Sequence, residues 1–497
     1  MGLTAEKAVV IASIAPATNA EAVASRAEVP EGISVVEIRL DGFAEEPDLA
    51  ALRDTYAAKS LVATVRSASE GGRYLGDRAG VEKALRAALK AGFDLVDVEY
   101  QAGQGKDLLG LDPNRVIVSS HDLAGIPADL ENLLDGMQRT GARFVKIVGT
   151  AHDSRDALRL LAFQRRRADG RLAAFAMGEP GIATRILSTY LGSPLAYGSL
   201  GEGRETAPGQ VPAADLVEVY GVGRSRNVEK LYALFGGYVS HSLSPALHNA
   251  TFEALKVPAL YVPFALKSML TEFDPLVVAF DGFGLRLKGA SVTIPFKEEA
   301  ATVAVFRGES VANTLVRSGD AYIASNTDRT AIASFTPLAI PGTRALVLGA
   351  GGTARTAVDV LTSRRYDVSI FSREPVRAHE LCEEVGGNFL SKLDPRDEPF
   401  PLVVNATPLG MKADDPLPCP ETFFDENVIL IDAPYRRGGT PLARIARDRG
   451  ATVYDGLALL VAQAAKQAEL FTSRPTTPSD LLSRLGARHR SLFEVNA

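Results

Sequence analysis

ARFVKIVGTA, residues 142–151, sets Lys146 inside a run of β-branched and aromatic residues that ends at glycine. Such a run reads as a buried strand, and a charge within it is destabilising by roughly several kcal/mol unless it is paired or neutralised. An ammonium can escape by losing its proton, which also makes the amine a nucleophile at neutral pH. The other reading is a lysine on the solvated face of an edge strand. What the neighbouring segments build decides between the two.

Seven similar apolar runs surround this one: VVIASI at 9, SVVEIRL at 34, SLVATVR at 60, DLVDVEY at 94, RVIVSS at 115, LAAFAM at 172 and LAYGSL at 195. Segments such as RAGVEKALRAALKAG and IPADLENLLDGMQRTGA lie between them, with helical apolar spacing and good helix formers. Eight strand-then-helix units predict an α/β fold, a closed (β/α)8 TIM barrel, with an open doubly wound sheet as the alternative. A barrel gathers its chemistry at the C-terminal ends of its strands. Polar residues recur at those places: Glu37 and Arg39, Arg66 and Glu70, Asp97 and Glu99, His121, Lys146, Arg185 and Gln210. Pointing inward among Arg39, Arg66 and Arg185, the Lys146 amine is expected to be driven toward neutrality by desolvation and like charge. His121, one strand earlier, is placed to move protons beside it.

In order, VEIRLD, TVRSASEGG, SSHD, FVKIV and TAPGQ resemble type I 3-dehydroquinate dehydratase over residues 8–215. The resemblance implies that Lys146 forms an iminium with a substrate ketone. His121 would then remove the adjacent proton and return one to the departing hydroxyl, oriented by Glu70. It implies too that Arg185 holds the substrate carboxylate, while Glu37, Arg39, Arg66, Thr206 and Gln210 contact the ring hydroxyls. Thr206 stands where family members often carry serine, which keeps the hydroxyl and adds a methyl.

The barrel pattern ends within VEVYGVGRSRNVEKLYALF, residues 217–235. Farther on, RALVLGAGGTARTAVDVL, residues 344–361, reads as strand, glycine turn and helix. Gly349, Gly351 and Ala354 form a G-x-G-x-x-A spacing, and the turn Gly349, Ala350, Gly351, Gly352, Thr353 and Ala354 is expected to bring a pyrophosphate to a helix N-terminus. The next strand, DVSIFSR, ends in Ser372 and Arg373, with Arg377 one turn on. Guanidiniums there favour the 2′-phosphate of NADP(H) over the bare hydroxyl of NAD, although Glu374 opposes them. Upstream, SHSLSP offers Ser242 and Ser244 at a helix start, suited to a carboxylate. Lys297 in GASVTIPFKEEA and Asp328 in SNTD could form a proton-transfer pair for reducing a ketone.

Those elements, followed by VVNATPLGM, DAPYRRGGTPL and DGLALLVAQAA, resemble shikimate dehydrogenase across residues 234–475. The resemblance implies that Ser242, Ser244, Thr293, Lys297, Asn313, Asp328, Tyr435 and Gln463 contact substrate, with Lys297 and Asp328 catalytic. It further implies that Asn405, Thr407 and Met411 line the cofactor and that Gly456 lies near the nicotinamide. Ser291 replaces an asparagine common in bacterial members, as it does in the plant bifunctional proteins.

The domains expected are a dehydratase barrel over 1–218, a substrate-binding domain over 232–340 with a helical return at 455–490, and a Rossmann-like NADP domain over 341–454. In this order the halves resemble the plant-type bifunctional fusion, with 3-dehydroquinate, 3-dehydroshikimate and shikimate as its small-molecule partners. An NAD(P)-linked quinate dehydrogenase in the second half, or a non-catalytic metabolite sensor, is the alternative. The net charge of −6 argues against a nucleic-acid partner. RRRADGR at 165–171 reads as a solvated helix end. Two cysteines without ligand spacing point to a reducing, cytoplasmic setting and to no metal. No run has the length of a membrane span. The oligomeric state is left open.

Overall fold

The computed structural model describes residues 2–101, 107–305, 310–394, 400–412, 414–436 and 438–494. The chain forms two compact units, Met1–Pro245 with Pro258–Lys288, and Ala246–Val257 with Gly289–Ala497.

The first unit is built on β1 (Val9–Ile14), β2 (Val35–Arg39), β3 (Ser60–Thr64), β4 (Leu95–Glu99), β5 (Val116–Asp122), β6 (Phe144–Thr150), β7 (Leu172–Met177) and β8 (Leu195–Gly198). All pair in parallel in the order β7-β6-β5-β4-β3-β2-β1-β8, a nearly closed barrel with its seam between β7 and β8. Side chains from alternate positions, among them Ile11, Val62, Ile117, Phe175 and Tyr197, fill its interior. The outer helices are α1 (Asn19–Ala24), α2 (Leu49–Thr55), α3 (Arg78–Lys90), α4 (Leu130–Gln138), α5 (Ser154–Arg167), α6 (Ile182–Tyr190) and α7 (Ala213–Glu218). Aspartates start four of them: Asp48, Asp77, Asp129 and Asp153 each accept a backbone N–H of the first turn. Between β4 and β5 the described residues hold only the short 3-10 turn Pro113–Arg115, where strict alternation predicts a helix. The basic run closes α5, with Arg166 and Arg167 paired to Glu131.

The compact units part at a different place from the change of pattern within 217–235. The first unit continues through β9 (Lys230–Gly236), the start of α8 (Ser244–Ala254), β10 (Ala259–Ala265) and α9 (Met269–Phe283). The reason lies in packing and polar contact. α9 lies against α5, and β10 against α6. The buried Glu272 accepts the N–H of Ser154 at 3.0 Å as well as those of Lys267 and Ser268 in its own turn.

The unit boundary falls within β11 (Arg286–Val292), which pairs antiparallel with β12 (Thr314–Ser318), itself antiparallel to β13 (Ala321–Ser325). α10 (Lys297–Val303) and α11 (Thr327–Phe335) flank these strands in the chain. The rest of the second unit carries β14 (Arg344–Leu348), β15 (Asp367–Phe371), β16 (Asn388–Leu390), β17 (Leu402–Asn405), β18 (Ile429–Asp432) and β19 (Thr452–Tyr454). Their parallel order is β16-β15-β14-β17-β18-β19, a Rossmann-like sheet whose winding reverses between β14 and β17. α12 (Gly352–Ser363), α13 (Pro375–Val385) and α14 (Pro441–Asp448) connect them. The following α15 (Gly456–Thr472) packs against α11 and β12; α16 (Pro478–Arg484) and α17 (Ala487–Glu494) follow it.

Candidate active sites

Register sets the first site. Glu99 on β4 stands opposite Ser119 on β5, and Ser119 opposite Lys146 on β6. Lys146 is 3% exposed, and its Nζ lies 2.6 Å from Asp97 Oδ2 and 4.5 Å from the Tyr197 ring centroid. A carboxylate thus sits against the Lys146 amine. Asp97 Oδ1 in turn accepts from Arg66 at 2.8 Å and from the Ser119 hydroxyl at 2.5 Å. Desolvation alone would raise the Asp97 carboxyl; Arg66 and Lys146 outweigh it and hold the group below its ordinary value.

Arg66 also donates to Glu70 at 3.2 Å and Glu99 at 3.0 Å. Burial opposes its charge, but Asp97, Glu99 and Glu70 together hold its pKa above the ordinary value. Glu70 follows β3 in a short turn, and its Oε2 accepts the backbone N–H of His121 at 3.1 Å and lies 2.8 Å from His121 Nδ1. Burial lifts the Glu70 carboxyl to about 8, against the pull of Arg66. The same burial, with Arg66, Lys146, Arg39 and Arg185 nearby, pushes the His121 imidazole well below its usual range. An imidazole kept neutral, with Nδ1 turned to a carboxyl, presents Nε2 as a base.

Arg185 comes from α6 and is buried; desolvation lowers its pKa to about 10. Its Nη2 donates to the Pro208 carbonyl at 3.1 Å, its guanidinium lies 5.2 Å from the Phe175 ring, and its Nε has no hydrogen-bond partner. A buried cation with an unfilled donor suits a carboxylate. Glu37 accepts the hydroxyls of Ser13 and Thr64 at 2.6 and 2.7 Å. Arg39 forks onto Asp41 with two bonds of 2.8 Å. Thr206 gives both its N–H and its hydroxyl to Gln210 Oε1, at 2.8 and 3.1 Å.

In the second unit Lys297, the first residue of α10, places Nζ 2.5 Å from Asp328 Oδ2 and 3.4 Å from the Thr353 hydroxyl. Asn313 donates to Gln463 Oε1 at 2.9 Å, while its carbonyl oxygen takes the Thr327 N–H that starts α11. Thr293 is half-buried beside this strand end. Tyr435 and Gly456 meet: a Cβ at Gly456 would lie 2.5 Å from the Tyr435 Cβ. Ser242 and Ser244 belong to the first unit, where the Ser244 N–H donates to the Ser242 hydroxyl at 3.2 Å.

The glycine turn after β14 fits an anion. Gly349 has φ +109, and a Cβ there would meet the Ala406 carbonyl at 3.2 Å; Gly351 opens onto space with nothing within 4 Å. α12 begins at Gly352 without a side-chain cap, leaving its first N–H groups, near Thr353, for a ligand, while Ala354 is buried against the sheet. Ser372 accepts the Glu374 N–H, Arg373 is exposed, and Arg377 is paired with Glu374 at 3.0 Å. Asn405 is fully buried, with its amide on Asp432 at 2.7 Å and its oxygen on Thr407; Met411 is exposed.

Three groups went unassigned in the sequence reading. Asp97 was visible only as a polar residue near a strand end. Asp432, lifted by burial to about 6 while Thr440 and Asn405 hydrogen-bond it, ends β18 within the DAPY run. Gln467 accepts the Ser291 hydroxyl at 2.8 Å and donates to Thr314 at 3.1 Å. Its signal was its spacing, one turn of α15 beyond Gln463.

Residues 10–226 match the family profile described as type I 3-dehydroquinase, and residues 234–307 that of the shikimate dehydrogenase substrate binding domain. The chain is 31% identical over 496 residues to the bifunctional 3-dehydroquinate dehydratase/shikimate dehydrogenase, chloroplastic, of Arabidopsis thaliana, covering 92% of this chain and 80% of that one. It is 34% identical over 273 residues to a shikimate dehydrogenase (NADP(+)) of Leptospira interrogans, covering 51% of this chain and 92% of that one. The solved dehydroquinate dehydratase and shikimate dehydrogenase from S. pombe AroM aligns with a TM-score of 0.41 at 22% identity, over 99% of this chain and 98% of that one.

Proposed function

We propose a division of labour from one premise: the chain belongs to the family of bifunctional 3-dehydroquinate dehydratase/shikimate dehydrogenases. The barrel converts 3-dehydroquinate to 3-dehydroshikimate, and the second half reduces that product to shikimate with NADPH. The observation that carries this reading is a lysine buried inside a barrel, with an imidazole on the neighbouring strand whose Nδ1 lies against Glu70.

In the barrel, the Lys146 amine adds to the substrate ketone and water leaves, giving a protonated imine. That cation stands where the ammonium stands, opposite Asp97, and draws electrons from the neighbouring C–H bond. His121 removes the proton through Nε2, with Glu70 holding Nδ1, then protonates the departing hydroxyl as the ring double bond forms. Water hydrolyses the imine and restores the amine. Arg185 anchors the substrate carboxylate, while Glu37, Arg39, Arg66, Thr206 and Gln210 supply hydrogen bonds around the ring hydroxyls.

In the second half, Ser242 and Ser244 offer hydroxyls to a carboxylate, and Thr293, Asn313, Tyr435 and Gln463 address the ring. Gly349 through Ala354 would hold the pyrophosphate and Ser372 with Arg373 the 2′-phosphate, with Thr407, Met411 and Gly456 along the cofactor. NADPH supplies the hydride when bound. Lys297 donates a proton to the carbonyl oxygen, and Asp328 keeps its ammonium in place. A reducing cytosol suits the two unpaired cysteines.

Paired assays test the division. Lys146→Ala is expected to abolish dehydration while NADPH-dependent reduction continues, and Lys297→Ala to do the reverse. Loss of both activities in either variant, in protein that remains folded, contradicts two separate sites.

A further inference from the structure

The turn 178–181 after β7 and the loop 199–210 after β8 make one wall of the barrel mouth. The Gly178 N–H donates to the Pro208 carbonyl at 3.2 Å, Arg185 reaches the same oxygen, and a Cβ on Gly209 would come within 2.5 Å of the Gly178 carbonyl oxygen. From this wall two carboxylates extend to the segment that follows β9. Glu179 Oε1 accepts the consecutive backbone N–H groups of Val239 and Ser240, at 2.6 and 2.8 Å. Glu202 Oε1 lies 3.5 Å from His241 Nδ1, and His241 Nε2 lies 3.0 Å from the Tyr238 hydroxyl. The Ser242 N–H then returns to the Val239 carbonyl at 3.2 Å, and the Ser242 hydroxyl takes the Ser244 N–H. Neither Glu179 nor Glu202 has a part in the dehydration chemistry. One carboxyl oxygen that collects two successive N–H groups fixes the course of the backbone carrying them.

We propose that Glu179 is a positioning residue for the reduction. From the dehydratase barrel it sets the backbone of residues 239–242, and through it the hydroxyls of Ser242 and Ser244 that receive the substrate carboxylate. The tether runs from α6, whose Arg185 grips substrate in the first reaction, by way of the turn Glu179–Gly181 that leads into that helix. The dehydrogenase thus depends on a side chain from outside its own family segment, residues 234–307. The inference rests on the shikimate dehydrogenase reading of the second half.

Steady-state kinetics on the full-length protein test it, with shikimate and NADP+ varied in turn. Wild-type turnover is read first, and its absence would sink the functional reading rather than this one. Glu179→Ala is expected to raise the shikimate KM roughly tenfold or more, with the NADP+ KM within about twofold of wild type. Glu179→Gln, which keeps an acceptor oxygen without the charge, should recover part of the loss. A general weakening of the fold would move both KM values together. An unchanged shikimate KM in Glu179→Ala, or equal rises for shikimate and NADP+, overturns the proposal.

Discussion

The alternation of β6 turns Lys146 inward, and the register sets Ser119 beside it and Glu99 beyond. An inward lysine within a strand was legible from the apolar run around it. Its pairing with Asp97 was not, because Asp97 lies two strands away and their meeting depends on barrel stagger rather than on sequence spacing. Glu70 carries the clearest pH consequence. In the unfolded chain its carboxyl ionises near its ordinary value of 4.5, whereas in the fold burial keeps the proton to about 8. The folded state therefore holds more protons between those values. The stabilising contribution, fully present below the lower value, is lost as pH rises through the upper one. Glu70→Gln removes that dependence, so its melting temperature relative to wild type should climb from about pH 5 to about pH 9, while dehydration slows. A constant difference across that range, measured by scanning calorimetry, would contradict the assignment.

At the scale of elements, strand–glycine turn–helix was legible because each part has its own chemistry: β-branched residues, a positive φ at Gly349, and an uncapped helix start. Between β4 and β5, where the repeat of strand and helix predicts a helix, only the short turn Pro113–Arg115 appears among the described residues. Around β15 the two arginines differ in a way sequence could not show. Arg377 is tied to Glu374, while Arg373 stands at the strand end facing Asp415, whose carboxyl is lowered chiefly by the Lys412 N–H and in smaller part by Arg373. Arg373→Ala should raise the KM for NADPH about tenfold or more, as loss of a charge-assisted contact of ~1.5–3 kcal/mol implies. Arg377→Ala should change it less. The reverse order would place the 2′-phosphate on α13.

At the scale of the whole chain, the sequence separates two activities, and the compact units part at a different place from the change of pattern within 217–235. Homology of pattern follows evolutionary segments, whereas packing follows buried surface, and residues 258–288 bury theirs with the barrel. Glu272 marks the seam, buried on α9 and holding the Ser154 N–H that opens α5. Glu272→Ala leaves that group and two others without an acceptor, which should destabilise the first unit by about 1–3 kcal/mol. At roughly 2–4 °C per kcal/mol for a unit of this size, calorimetry resolves such a shift. A melting temperature equal to wild type would mean that the segment is not part of the barrel's cooperative fold.

The imine on Lys146 is the claim on which the rest turns. Borohydride added to the protein with 3-dehydroquinate, followed by digestion and mass mapping, should find a reduced adduct on Lys146 and none on Lys146→Ala protein. An adduct confined to another lysine, or none while dehydration proceeds, would contradict the account.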